Sequence, residues 1–318
     1  MNNVLNLILR RLLALPVMVL GVTFLVFFLM SFSNIDPSYA ALGEGASAEA
    51  RAAYREEHGL DNPWPVQFLQ FLGGLLQGDL GTYSTRQTSV ADRVLEAFPV
   101  TLQLTFIGLA LAVVIALPLG VIAALYRDRW PDQVIRVASI AFIATPSFWL
   151  AVLLILAFSA NLGMFPASGQ LPGFLDDPSG YVSRMIMPTF ALGIPVAGSL
   201  VRIIRTAMVE ELDKDYVRTA LGAGVPHRVV VGRNVLRNAL ITPVTVMGLR
   251  IGYLMGGAVV IEVIFNLPGM GMAIIQGIQQ NHPTLVQGVV LVVALAFILI
   301  NIIVDLLYLL INPRIRAV

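Results

Sequence analysis

Long unbroken apolar runs, rather than strand-like alternation, dominate this chain. Six of them fall at approximately 12–32, 101–125, 134–158, 186–207, 239–262 and 286–310. Each reaches the roughly 20 residues that an α-helix needs to cross about 30 Å of hydrocarbon. The pattern predicts an all-α integral membrane fold with six transmembrane helices. The first run follows Arg10 and Arg11, and Ser38-Tyr39-Ala40 has the small-residue character of a signal-peptide cleavage site. Its apolar stretch is longer than a signal-peptide core, so it reads as a span.

The polar stretches between the runs divide the chain further. Residues 1–33 hold a short N-terminal segment and the first span, 34–100 form a segment on one face of the membrane, 101–310 hold five spans, and 311–318 form a tail. Within 34–100, Ser47 to His58 reads as a short helix with a serine N-cap and Gly59 just past its end. Residues 64–76 form an amphipathic run closed by Gly78 and Gly81. Together they predict a small cap between the first two spans, which could equally be a plain connector with no ligand contact. The segment 159–185, rich in Pro, Gly and Asp, reads as loop.

Composition reinforces the membrane reading and removes several chemistries. Hydrophobic residues make up 57% of the 318 and charged ones 12%, more apolar surface than one water-soluble core hides. Without cysteine there is no disulfide, thiolate nucleophile or Cys-type metal site. His58, His227 and His282 lie far apart in sequence, and the formal charge of +1 gives no polybasic case for nucleic acid. Lys and Arg do set an orientation. With the N-terminus inside, fourteen of the 20 fall in cytoplasmic segments, as the positive-inside bias requires. Both termini are then cytoplasmic, and 34–100 is extracytoplasmic.

Residues 208–238 are the informative cytoplasmic loop. Acids (Glu210, Glu211, Asp213, Asp215) precede bases (Arg218, Arg228), which complements a helix dipole. Ala220, Gly222, Ala223 and Gly224 offer a small-residue surface, and Gly224 with Pro226 breaks the helix before a second one from about Arg228 to Asn238. Alone, this is a well-formed loop that a partner protein could meet.

Around it the chain resembles the permease subunits of ABC importers of the dipeptide, oligopeptide and nickel class. Asp215-Tyr216-Val217-Arg218-Thr219-Ala220 followed by Gly224 is similar to that family's EAA loop, and Arg237-Asn238-Ala239-Leu240 to its continuation. Similar strings follow at 256–265, 267–271 and 304–316, and precede it at 59–63 and 78–81. Departures are Gly222 and Ala223 where relatives often have alanine and lysine, Pro243 one position late, and Arg250 where glutamine is common.

The resemblance implies a type I ABC importer permease fold, with a coupling helix at Arg218 to Gly224 seated in a cytoplasmic ATPase. The residues expected at that contact are Asp215, Tyr216, Arg218, Thr219, Ala220, Gly222, Gly224 and Arg228. It also implies a homologous second permease, two ATPase subunits holding ATP and Mg, and an extracytoplasmic substrate-binding protein. The chain has no G-x-x-x-x-G-K-[ST] string, and its one lysine is Lys214, so it lacks the loop with which an ATPase cradles phosphates. No cofactor or metal is expected in this chain. Peptides are the implied substrates, with nickel complexes or other small solutes as alternatives.

Polar groups inside spans are costly and therefore informative. Arg250 falls near mid-bilayer in the fifth run, either as a structural pair with Asp305 or as a cationic wall of the translocation path. Glu262, twelve residues later, suits an outer gate or a cap for loop amides, and Asp305 suits a structural pair with cytoplasmic arginines. Prolines 118, 146, 188, 195 and 243 interrupt spans; Thr145-Pro146-Ser147 reads as a packing kink or as a hinge whose hydroxyls line the path. Met255 is a further path candidate. Two other classes fit less well. An intramembrane enzyme would need a nucleophile–base or metal constellation, and no H-E-x-x-H or G-x-S-x-G string is present. An ion-driven secondary transporter would show two related halves with broken helices, and no such symmetry is visible.

Overall fold

The computed structural model describes residues 2–32, 36–43 and 45–311, with side chains over 13–32, 36–39, 41–43 and 45–304. Among the described residues the regular structure is helical except for one small hairpin. In chain order the elements are α1 (Asn2–Ser31), α2 (Pro37–Leu42), α3 (Ala48–Glu57), α4 (Trp64–Leu76), the strands β1 (Thr82–Tyr83) and β2 (Thr88–Ser89), and α5 (Val90–Leu125). Then come α6 (Trp130–Ala144), α7 (Ser147–Leu154) running into a π-helical stretch to Asn161, α8 (Pro178–Leu212) and α9 (Asp215–Gly222). The chain continues with α10 (His227–Val229), a π-helical stretch to Val235, α11 (Leu236–Ala239), α12 (Ile241–Phe265), α13 (Met270–Gln279) and α14 (Pro283–Ile311).

Among the described residues five helices are long and apolar enough to span a membrane, and α6 with α7 makes a sixth if that bent pair is one span. The interruption expected at Thr145-Pro146-Ser147 is a sharp one, the two halves meeting at 98°. Pro146 has no N–H to donate, and Thr145 before it is extended (φ −85°, ψ 113°). The other prolines do not interrupt their helices. Pro188 and Pro195 lie inside continuous α8, Pro118 inside α5, and Pro243 in the first turn of α12, where a missing N–H is harmless.

Helices also begin earlier than the apolar runs predicted. α5 starts at Val90, and its first turns carry Asp92, Arg93 and Glu96. α8 starts at Pro178, where the Asp177 carboxylate accepts from the Gly180 N–H at 2.9 Å. The expected loop 159–185 is thereby shortened at its end. Hydropathy marks where hydrocarbon ends, whereas the cap marks where the helix ends.

The chain divides into two compact units. The first comprises 1–4, 102–265 and 300–318, and α8 is its centre, packed by α6, α7 and α12. Its glycines permit close approach. A Cβ on Gly193 would stand 2.8 Å from the Gly108 carbonyl oxygen, and one on Gly198 2.7 Å from that of Ser139. Such small-residue contacts replace the hydrophobic drive that lipid cannot supply between helices.

The second unit comprises 5–101 and 266–299. Val90, Val94 and Ala97 of α5 pack with Met270, Ala273, Leu285 and Val289, and the Met270 N–H donates to Thr101 Oγ1 at 3.0 Å. The expected short helix is α3, with Ser47 Oγ accepting from the Ala50 N–H and Gly59 at φ +64° beyond its end. Residues 64–76 form α4 as the sequence pattern predicted, and its Phe68 and Phe71 stack against Phe24 and Phe27 of α1.

Candidate coupling surface and translocation groups

The 208–238 loop folds into a short helical element. Val217 is 5% exposed and anchors α9 from beneath. Tyr216 donates to Glu211 Oε1 at 3.0 Å, Asn238 Nδ2 donates to the Tyr216 oxygen at 3.4 Å, and Lys214 Nζ pairs with Glu211 at 2.6 Å. These bonds fix α9 against the end of α8 and the far end of the helical stretch that follows it. Burial, with the Glu211 carboxylate adding to it, pushes the Tyr216 phenol above its ordinary value, so it stays a neutral donor. Gly224 ends the turn at φ +82° with its N–H on the Leu221 carbonyl, and the Val225 N–H reaches that of Ala220. That left-handed geometry is why glycine stands there.

The outward face of this element is open. Asp215, Arg218, Thr219, Gly222, Gly224 and Arg228 are exposed, and Tyr216 and Ala220 half-buried. No side chain lies within 4 Å of where a Cβ would project from Gly222 or Gly224. The second helix runs from His227 to Ala239 through the π-helical stretch.

The C-terminal part of α8, just before α9, is tied to the first turn of α6. Arg205 donates to Asp132 from Nε at 2.9 Å and Nη2 at 2.6 Å, and the Asp128 N–H adds a third bond at 2.9 Å. Asp132 is fully buried, and a two-pronged guanidinium is the partner that makes such a carboxylate tolerable. Arg127 pairs with Asp213 at 2.9 Å nearby. Nothing in the local sequence marks the Asp132–Arg205 pair, since an acid in a helix's first turn says nothing of a partner 73 residues away.

The N-terminal part of α8 holds a second group that the sequence did not single out. Arg184, assigned to an exposed loop, is 3% exposed. Its Nη1 donates to the Pro166 carbonyl at 3.3 Å, and Nη2 to those of Gly169 at 3.0 Å and Phe265 at 3.1 Å. One guanidinium therefore clamps the 163–177 loop and the last carbonyl of α12, the negative end of that helix. A cleft of about 390 Å³ adjoins it, lined by Ser168, Gln170, Asp177 and Ser183 among others. The Gly180 N–H and the Ser179 hydroxyl hold the Asp177 carboxyl below its ordinary range.

The intramembrane candidates do not share one open surface. Arg250 is half-buried, its guanidinium 5.8 Å from the Tyr253 ring centre, and it makes no ion pair among the described residues. The side chain of Asp305, its candidate partner, lies outside those residues. Met255 is 1% exposed and Glu262 0%, so both are shut within the protein in this conformation. Thr145 donates to the Ala141 carbonyl at 2.8 Å and, like Ser147, is half-buried at the break between α6 and α7. Among the described residues no group of His, Asp and Glu could hold a metal ion.

Several apolar spans around a glycine-packed central helix, with a capped polar element projecting from one end, define a helical membrane permease. A family model described as binding-protein-dependent transport system inner membrane component matches residues 116–317, and a model of the N-terminal part of such components matches 4–105. The chain belongs to this family, and it is a multi-pass inner-membrane permease subunit of an ABC importer. It is 40% identical over 303 residues to a Brucella abortus protein named as a peptide transport system permease, covering 95% of this chain and 96% of that one. It is 39% identical over 312 residues to the glutathione transport system permease protein of Salmonella choleraesuis, covering 98% and 99%. The inward-facing MetNI methionine ABC transporter shares the fold, with TM-score 0.53 and 16% identity over 69% of this chain and 96% of that one.

Proposed function

We propose that this permease carries peptides, with a homologous second permease completing the path and two separate ATPase subunits driving it. The names of the 40% and 39% identical relatives support a peptide or glutathione-like substrate; nickel complexes are the alternative within the class. In this reading α9 is the coupling helix, its contact made by Asp215, Arg218, Thr219, Gly222, Gly224 and Arg228 with Tyr216 and Ala220 behind them. ATP and Mg are held by the ATPase subunits, a binding protein delivers substrate from outside, and both termini are cytoplasmic. The observation that carries the reading is the docking element itself: a helix pinned from beneath by Val217 and Tyr216 that presents small and basic positions outward.

Affinity purification of the tagged chain in mild detergent tests it, with identification of stoichiometric partners and peptide uptake into proteoliposomes. Recovery of a P-loop ATPase and a second permease, with ATP-dependent peptide uptake, is expected. A Gly224→Trp chain should insert normally and lose the ATPase. Recovery of the chain alone, or uptake of nickel complexes without peptides, would overturn the corresponding part.

A further inference from the structure

α4 is a helix without a charge. No Asp, Glu, Lys or Arg occurs between Asp61 and Asp79, and α4 fills most of that interval. Trp64, Phe68 and Phe71, spaced four and three apart, share one face and meet α1. Phe68 lies edge-on to Phe24 at 5.5 Å and 5.4 Å from Phe27, Phe71 stacks on Phe27 at 5.9 Å, and Trp64 is 6.2 Å from Phe24. Gln67 turns aside, donating to the Leu60 and Asn62 carbonyls at 2.8 Å. Apart from exposed Gln70, the remaining surface is apolar and uncovered, with Leu69 68% and Leu76 82% exposed. A helix apolar on nearly every side is ordinarily buried, and this one is not.

Its depth says what covers it. Phe24 lies seven residues before the end of α1, about 10 Å along the helix at 1.5 Å per residue, and Phe27 about 6 Å. Both fall inside the membrane-spanning stretch Leu13–Ser31, so a helix packed on them sits within hydrocarbon rather than above it. α1 itself is only 11% buried by protein over that stretch, and its Leu25 and Leu29 are exposed. The lipid-facing surface of α1 thus runs on over α4.

We infer that α4 is not part of a water-facing cap but an embedded helix, lying on α1 in the leaflet at the C-terminal end of that span, with acyl chains against Leu69 and Leu76. Asp61 and Asp79 bracket the uncharged stretch. The 34–100 segment is then in two parts: α2 and α3, with Arg55 pairing Asp36 and Asp61, stand in water, and α4 in lipid.

A chain without cysteine allows a clean test. Single variants Leu69→Cys and Leu76→Cys, with Leu25→Cys of α1 and Glu56→Cys of α3 as references, are nitroxide-labelled in the full transporter in phosphatidylcholine–phosphatidylglycerol nanodiscs. Collision rates are measured with molecular oxygen, which partitions into lipid, and with a neutral nickel chelate, which stays in water. Positions 69 and 76 should match 25, oxygen access exceeding chelate access several-fold, while 56 shows the reverse. Chelate access at 69 and 76 equal to that at 56 would place α4 in water and overturn the inference. Exclusion of both reagents would overturn it too, by showing a protein cover.

Discussion

α1 and α8 are both membrane helices, yet they obey opposite rules. The best stretch of α1 has mean hydropathy 2.6 and is 11% buried by the rest of the protein; that of α8 has 1.5 and is 61% buried. The helix meeting lipid must be apolar on every side, because lipid offers no hydrogen-bond partner. The helix meeting other helices can carry Arg184, Arg205, Thr189, two prolines and several glycines, because its neighbours supply carbonyls, a carboxylate and close contact. Hydropathy therefore ranks these two spans by exposure to lipid and not by importance. α8 carries the Arg184 clamp near one terminus and Asp213, next to α9, at the other.

Removing the polar partners of α8 should break the comparison hardest. Asp132→Ala leaves the Arg205 guanidinium without its carboxylate, a loss of about 3 kcal/mol by analogy with broken buried pairs. Thermal unfolding in detergent should show a drop of several degrees. Arg184→Ala strips the Pro166, Gly169 and Phe265 carbonyls of their donors, costing about 2–3 kcal/mol, and should open the 163–177 loop to protease. Arg184→Lys restores charge without the fork and should recover only part.

Glycine sharpens the contrast with a single kind of change. Gly198→Leu drives a side chain into the Ser139 carbonyl and Phe142 and should cost about 1–3 kcal/mol. Gly21→Leu on α1 meets nothing within 4 Å and should be neutral or slightly stabilising, since glycine is a poor helix former. Equal losses in the two variants would end the lipid-facing versus helix-facing distinction.

The smallest effect concerns pH. His282, between α13 and α14, is held below its ordinary value by burial. The unfolded chain takes up its proton more readily, so stability should be full above about pH 6.5, the ordinary histidine value, and fall as pH drops below it. His282→Gln should flatten that slope in unfolding midpoints measured from pH 7.5 to 5.5.

Much of this was legible in the sequence, for identifiable reasons. Six apolar runs, the Ser47 cap and the limits of α4 follow from local pattern, and so does the turn at Gly224. What stayed hidden depends on distant partners. Arg184 reads as a loop charge until the Phe265 carbonyl, 81 residues on, is seen beside it; Asp132 is unremarkable without Arg205. Pro146 and Pro188 look alike in sequence, yet the chain bends by 98° at one and the other sits within the continuous helix α8. Met255 and Glu262, polar or soft and therefore suggestive as lining groups, are enclosed, while Arg250 keeps part of its surface.

The central claim is that a separate ATPase drives this permease through α9. The most direct measurement places a single cysteine at Arg218, whose side chain is exposed, and looks for a thiol cross-link to a cysteine-bearing ATPase subunit in the assembled transporter. The account predicts an efficient cross-link from Arg218→Cys and none from Val217→Cys, whose side chain faces inward. Cross-linking absent at 218, in a complex that still hydrolyses ATP and moves peptide, would contradict it.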